Sequence, residues 1–130
     1  MIRAVFEGVA YNSRWLLRYV ERFTGRRLDD IHMVGGGAKS DVWCQIHADV
    51  LNRTIRQVQD PVQVNVRGIA LLAAVATGLI TFDQIGDVAI ANTFHPNPAN
   101  RPIYDELFAA YETIYKQNRR LYARLNRDET

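Results

Sequence analysis

Ile31-His32-Met33-Val34-Gly35-Gly36-Gly37-Ala38-Lys39-Ser40-Asp41 is the stretch that decides how this chain reads. A short apolar run predicts a buried strand. Three consecutive glycines follow it. Ser40 then stands where a helix N-cap belongs, ahead of the apolar-periodic Val42-Trp43-Cys44-Gln45-Ile46-His47. Strand, glycine turn and helix start suit a phosphate. Glycine lets backbone N–H groups approach an anion closely, and a helix N-terminus adds unpaired donors and a positive dipole end. Taken alone, the loop reads equally well as a plain glycine-rich connection.

Two phosphate motifs compare poorly with it. The P-loop needs glycine immediately before its Lys-Ser pair and again five positions earlier; Ala38 and Met33 stand there. The dinucleotide fingerprint fits better, with Gly35 and Gly37 in place and Asp60 after the next predicted strand as a ribose-binding acid. Its third glycine position is Ser40, so a dinucleotide-binding βαβ module stays open as an alternative.

Outward from the loop, Ile2, Val5, Phe6, Val9, Leu16, Val20 and Phe23 repeat at helical spacing, and Gly25 suits a C′ position. The strand near Ile31–Val34 leads to a helix from Asp41 to about Leu51. Thr54–Val58 reads as a second strand, broken by Asp60-Pro61. Gly68 to Thr77 reads as a buried, alanine-rich helix ended by Gly78. Asp83 to Pro102 reads as loop, with Pro96, Pro98 and Pro102 interrupting any helix. The last helix is expected from about Tyr104 to Leu125, with the stripe Tyr104, Leu107, Phe108, Tyr111, Ile114, Tyr115, Leu121, Tyr122 and Leu125 as core or as a docking face.

Two strands joined through a helix imply a parallel pair with a right-handed crossover. Parallel sheets normally have more strands and are covered on both faces. A chain that opens mid-helix and supplies only two strands is expected to be a fragment, with the missing strands upstream of Met1.

Composition sets the bounds. A chain of 130 residues suits one domain or one lobe, and 48% hydrophobic residues can supply a core. A net charge of +2 asks for no nucleic-acid partner. Arg18, Arg22, Arg26 and Arg27 crowd the end of the first helix, and Lys116, Arg119, Arg120, Arg124 and Arg127 the last; cations there stabilise helix C-termini without a ligand. Cys44 is the single cysteine, which excludes an intrachain disulfide and suits a reducing cytoplasm. No apolar run reaches the ~20 residues that cross a bilayer, and the N-terminus carries Arg3 and Glu7 rather than a signal peptide. His32, His47 and His95 lack metal-ligand spacing with Cys44 or the carboxylates, so no metal site is expected. Trp43 reads as core rather than as an adenine platform.

Four segments together carry a resemblance: Arg3-Ala4-Val5-Phe6-Glu7-Gly8-Val9-Ala10, Gly35 to Ser40, Trp43 to Leu51, and Arg67-Gly68-Ile69-Ala70-Leu71-Leu72-Ala73-Ala74. Their order and spacing resemble the C-terminal lobe of FGGY carbohydrate kinases, the xylulokinase-like members most, over essentially the whole of residues 1–130. Ile69 departs from the smaller residue many members carry there.

The resemblance implies an α/β fold, a partial actin-like ATPase (ribonuclease H-like) lobe with a short parallel sheet packed by helices. It implies ATP in a cleft between two lobes, with Mg²⁺ bridging its phosphates, and a sugar held mainly by an N-terminal lobe. The catalytic base and first phosphate loop belong to that other lobe, so no catalytic residue is expected here, and Asp41 and Asp49 are not assigned as base. By position, Gly36 and Gly37 would approach phosphates and ribose, Ser40 would lie near the adenine, Gly35 would shape the turn, and Ala38 and Lys39 complete the cofactor-binding stretch, Lys39 as a solvated cation. The implied reaction is ATP-dependent phosphorylation of a sugar hydroxyl, of a pentulose such as xylulose, in the cytoplasm, with the isolated chain inactive. Uncovered sheet edges and helix faces suit a homo-oligomer. A non-catalytic regulatory or interaction domain is a further alternative.

Overall fold

In the computed structural model, which describes residues 1–126, four helices and three strands form one α/β unit. Arg127 lies outside the described residues. Helix α1 (Ile2–Thr24) ends at Gly25, whose φ of 67° is the left-handed C-cap that glycine adopts without steric cost. Strand β1 (Asp30–Met33) follows, then the glycine turn, helix α2 (Asp41–Leu51) and strand β2 (Thr54–Val58). These elements match the reading of the sequence closely.

β1 and β2 pair in parallel, with Ile31 opposite Ile55. The sheet nevertheless differs from the expected parallel pair. Strand β3 (Ile90–Phe94) joins β2 antiparallel, Ile55 opposite Phe94, so β2 is central in a mixed three-stranded sheet. The segment had read as loop because only its end residues, Ile90 and Phe94, are large and apolar, and Ala91, Asn92 and Thr93 between them stay exposed. β3 is defined by ladder hydrogen bonds rather than by a buried face.

Helix α3 (Val64–Ala76) starts four residues before the expected Gly68, because a 3₁₀ turn at Pro61–Gln63 runs straight into it. It was expected to be buried, yet none of its residues is. Val66, Ile69 and Leu72 are exposed, and so are Leu79 and Phe82 beyond it. Helix α4 (Arg101–Leu125) begins ahead of Pro102 rather than after it. Proline in a first turn lacks only an N–H that has no helical acceptor anyway, so it opens the helix instead of breaking it.

The core lies where α1, α2 and α4 meet. Ala10, Tyr11, Ile46, Val50, Leu51, Tyr104 and Phe108 pack there. On the opposite side of α2, Cys44, Ala48 and Ile55 join helix to sheet. The stripe of α4 is thus core at Tyr104 and Phe108, with Tyr111 packed beside them, whereas Leu107, Ile114, Tyr115, Leu121, Tyr122 and Leu125 are exposed. Arg53 on Glu21 (2.8 Å) and Arg14 on Asp105 tie α1 to its neighbours. Desolvation works against ionisation of Glu21, but the Leu28 N–H and the Arg53 guanidinium outweigh it and hold the carboxyl below its ordinary range.

Candidate functional site

The glycine stretch sits at the carboxyl end of β1. In open parallel sheets this is the edge at which ligands collect. Gly35 has φ 86° and ψ −175°, a conformation that a side chain would strain, and so it sets the turn as expected. Gly36–Lys39 form one 3₁₀ turn. The Ala38 and Ser40 N–H groups are consumed inside it, on the carbonyls of Gly35 (3.2 Å) and Gly37 (3.1 Å). Those of Gly36 and Gly37 stand at its open start. The turn is anchored sideways, since Gly35 N–H donates to the Pro61 carbonyl at 2.8 Å. Two turns, one after each parallel strand, therefore lie side by side.

Ser40 is the N-cap of α2: its hydroxyl accepts from the Trp43 N–H at 3.3 Å. The three glycines have separate tasks. A Cβ on Gly36 would meet nothing within 4 Å, so its bare face looks onto open space. A Cβ on Gly37 would lie 2.2 Å from Trp43 Cζ3. Gly37 is glycine because the Trp43 ring occupies the place of its side chain. That ring stacks on Phe6 with centroids 4.8 Å apart, meets His47 edge-on at 5.5 Å and donates from Nε1 to the Phe6 carbonyl at 3.3 Å. Trp43 is a packed, half-buried residue, as its helical spacing suggested.

Ala38 is fully buried and takes part through the backbone it fixes. Its carbonyl receives the Gln57 amide nitrogen at 2.6 Å and the Cys44 thiol at 3.6 Å. Lys39 is exposed and borders an open hollow of ≈ 220 Å³ with Asp60, Pro61, Val62 and Gln63. Asp60 itself has φ 48°, a left-handed conformation that aspartate tolerates better than most residues.

Sequence reasoning passed over Gln57 and Asn92. Gln57 is only 6% exposed, and its amide donates to Ala38 O and to Asp41 Oδ1 (3.0 Å) while accepting from Asn92 Nδ2 (2.8 Å). A signal was present: in a strand, residues two apart share a face, and Gln57 follows buried Ile55 by two.

The titratable groups packed behind the turn are committed to structural roles. Burial pushes the Cys44 thiol above its ordinary value, with the Asp41 charge adding to it, so Cys44 stays protonated. Burial pushes the His47 imidazole down against the opposing hydrogen bond from its Nδ1 to the Trp43 carbonyl at 3.0 Å. Asp49 is committed elsewhere, accepting from Gln45, from Asn97 N–H and from Asn100 in the loop before α4. It is structural, as expected. Among the described residues no three His, Cys, Asp or Glu side chains are grouped to hold a metal ion, and no helix is long and apolar enough to cross a membrane. The turn presents backbone N–H groups and Lys39, with the Asp60 carboxylate across the hollow.

Comparison with known proteins places this geometry. The model of the FGGY family of carbohydrate kinases, C-terminal domain, matches residues 1–77, which include the whole glycine turn and α2. The chain is 33% identical over 126 residues to a xylulose kinase of Staphylococcus epidermidis, covering 95% of this chain and 25% of that protein. It is 30% identical over 118 residues to an autoinducer-2 kinase of Enterobacter sp., covering 88% and 22%. The crystal structure of a ligand-bound xylulose kinase from Lactobacillus acidophilus superposes with a TM-score of 0.73 at 25% identity, over 95% of this chain and 25% of that one. The chain thus spans about a quarter of the length of the curated relatives it matches. With a matching family model across more than half its length, and the glycine turn inside that match, the chain belongs to the FGGY family of carbohydrate kinases, in the region of the C-terminal domain.

Proposed function

We propose that residues 1–130 are the ATP-binding C-terminal lobe of a cytoplasmic sugar kinase, and that the complete enzyme transfers the γ-phosphoryl group of ATP to a sugar hydroxyl, on a pentulose such as xylulose. One observation carries the reading. The family-matched segment ends strand β1 in a glycine turn whose Gly36 face is open, beside a capped helix start. Gly35, Gly36, Gly37, Ala38, Lys39 and Ser40 form the nucleotide stretch. In it Gly36 and the first N–H groups of the turn approach phosphate, Gly35 and Ala38 fix the backbone, Lys39 adds positive charge, and Ser40 holds the helix start.

Phosphoryl transfer relies on positioning and charge stabilisation. This chain's residues supply the nucleotide side of that task. The base and the sugar contacts come from the remainder of the enzyme. Mg²⁺ would bind with the phosphates of ATP and neutralise their charge. The similarity to a xylulose kinase supports a sugar acceptor, and the similarity to an autoinducer-2 kinase is why a panel of acceptors is needed. The unpaired outer edges of β1 and β3 and the exposed apolar face of α3 support self-association when the chain is alone.

The test is kinetic. In the complete kinase, Gly36→Val should raise the KM for ATP by about one to two decades, the size of a lost charge-assisted contact, and leave the KM for sugar in place. A coupled ADP-release assay across pentuloses and hexuloses identifies the acceptor. The 130-residue chain should show no sugar-dependent turnover in the same assay, and turnover there would refute the placing of the base in another lobe. Unchanged ATP binding by Gly36→Val would show that the turn is not the nucleotide site.

A further inference from the structure

We propose that Gln57 and Asn92 are positioning residues for the glycine turn: a buried amide relay from β3 through β2 that holds the Ala38 carbonyl and so aims the open N–H groups of the turn. The inference rests on the nucleotide-binding reading above and adds residues to it from outside the turn.

The geometry is complete at each link. Gln57 lies on the central strand, buried, with both amide hydrogens spent, one on Ala38 O at 2.6 Å and one toward Asp41 Oδ1 at 3.0 Å. Its own oxygen accepts from Asn92 Nδ2 at 2.8 Å. The Ala38 carbonyl and the Asp41 carboxylate can only accept, so the Gln57 nitrogen must face the turn and its oxygen must face β3, where Asn92 donates to it. Asp41 is the first residue of α2, so the same amide ties the turn to the helix it precedes. The other ties of the turn, Gly35 N–H on Pro61 O and the Ser40 cap, act at its two ends. Gln57 acts on its middle, where a 3₁₀ turn with glycine at two of four positions is least constrained by its own sequence. A neutral amide fits this place. A carboxylate would face the Ala38 carbonyl and the Asp41 carboxylate, and an apolar side chain would leave the buried carbonyl with the weak Cys44 thiol alone.

Asn92 is exposed, and among the described residues its side chain is linked to the turn by hydrogen bonds through Gln57, so the two should act as one unit. In the complete kinase, Gln57→Met keeps the side-chain volume and removes the donors. It should raise the KM for ATP roughly five- to tenfold, the equivalent of one or slightly more neutral hydrogen bonds, with the KM for sugar unchanged. Asn92→Ala should move the same parameter roughly two- to threefold by removing the bond that steadies the Gln57 oxygen and so loosening its amide, an order-of-magnitude figure for a partly lost bond. The double variant should match Gln57→Met alone, because Asn92 has nothing left to orient. Unchanged sugar KM is the check on folding, and the surface variant Asn92→Ala carries the test if Gln57→Met does not fold. Gly36→Val, measured alongside, separates the two readings. If it weakens ATP binding while Asn92→Ala and Gln57→Met do not, the relay is refuted and the nucleotide turn stands. If Gly36→Val leaves ATP binding unchanged, the nucleotide reading falls and takes the relay with it. Additive effects of Gln57→Met and Asn92→Ala would also overturn the relay, since independent residues add.

Discussion

Helices α2 and α3 are alike in length and unlike in fate. α2 buries seven of its residues, His47 and Asp49 among them; α3, which contains one charged residue and is otherwise mostly alanine and branched aliphatics, buries none. Apolar composition therefore does not decide burial here. Partners do. α2 has α1 and α4 on one side and the sheet on the other. Its polar residues are inside because carbonyls and amides meet them: Trp43 O for His47, Asn97 and Asn100 for Asp49. α3 shows the converse, an apolar helix most of whose surface the described residues leave open.

The largest expected effect lies on the packed side, at Gly37. Adding one methyl there places it 2.2 Å from a Trp43 ring that is already stacked on Phe6. Gly37→Ala should cost about 3 kcal/mol of stability, the upper end for overpacking. Gly36→Ala, next door and open, should stay within about 0.5 kcal/mol. Chemical denaturation of the two variants reads the difference. Equal costs would mean that Trp43 is not seated where the contact requires, and the contrast between a closed and an open glycine would be lost.

A smaller effect comes from acid. His47 is held below its ordinary pKa by burial, against the pull of the Trp43 carbonyl. In the unfolded chain it takes a proton near pH 6.5. Between that pH and the lowered folded value the unfolded state binds more protons, so folding stability falls as pH falls through this window and is fully present above it. The loss should be smaller than that of Gly37→Ala, and His47→Gln should flatten it. The Glu21 and Asp105 carboxyls are both held low: each is partly desolvated, but Leu28 N–H and Arg53 outweigh this at Glu21, and Arg14 and Arg101 at Asp105. Their contribution goes only in stronger acid. α3 carries no group but Arg67 that is charged, so acid should open the α2 side first. Thermal melts between pH 7 and pH 5, followed by the combined fluorescence of Trp15 and Trp43, measure it. A slope that survives in His47→Gln would assign the acid sensitivity to another group.

The same contrast explains what could be read from the sequence. β1, α2 and β2 were legible almost to the residue, because Gly35, Ser40 and the Ile55 alternation act locally. Ser40 as N-cap, Gly25 as C-cap and Asp49 as a structural acid followed the same way. β3 was not legible: Asn92 and Thr93 have no periodicity to offer, and their pairing depends on β2, some 35 positions away. The reading of α3 as buried failed because periodicity reports which residues want a partner and is silent on whether the chain supplies one. In the glycine stretch the turn and the helix cap were legible, but the different packing of the glycines was not. Gly36 and Gly37 look the same in a sequence; only the Trp43 ring distinguishes them. Gln57 was visible as a polar residue on a buried strand face, though its task needed the fold to bring Ala38 and Asn92 to it.

The smallest effect is the one that bears most on how this chain is used. Ile69 is 69% exposed on α3, left largely uncovered by the described residues. Ile69→Ser in the 130-residue chain should therefore change stability by no more than about 0.5 kcal/mol, the ordinary range for a surface substitution. In the complete kinase the outcome should differ. If the remainder of the enzyme covers α3, the same substitution removes a buried aliphatic side chain, and the expected cost rises to about 2 kcal/mol or more. Denaturation of both proteins, parent and variant, gives the two numbers. A large cost in the short chain would mean that α3 already packs against it or against a second copy, and protein concentration would separate those cases, since only self-association makes the melting temperature rise with concentration. A small cost in both would mean that α3 remains a free apolar face in the whole enzyme, and the contrast with α2 would then be a property of the protein and not of the length of chain considered.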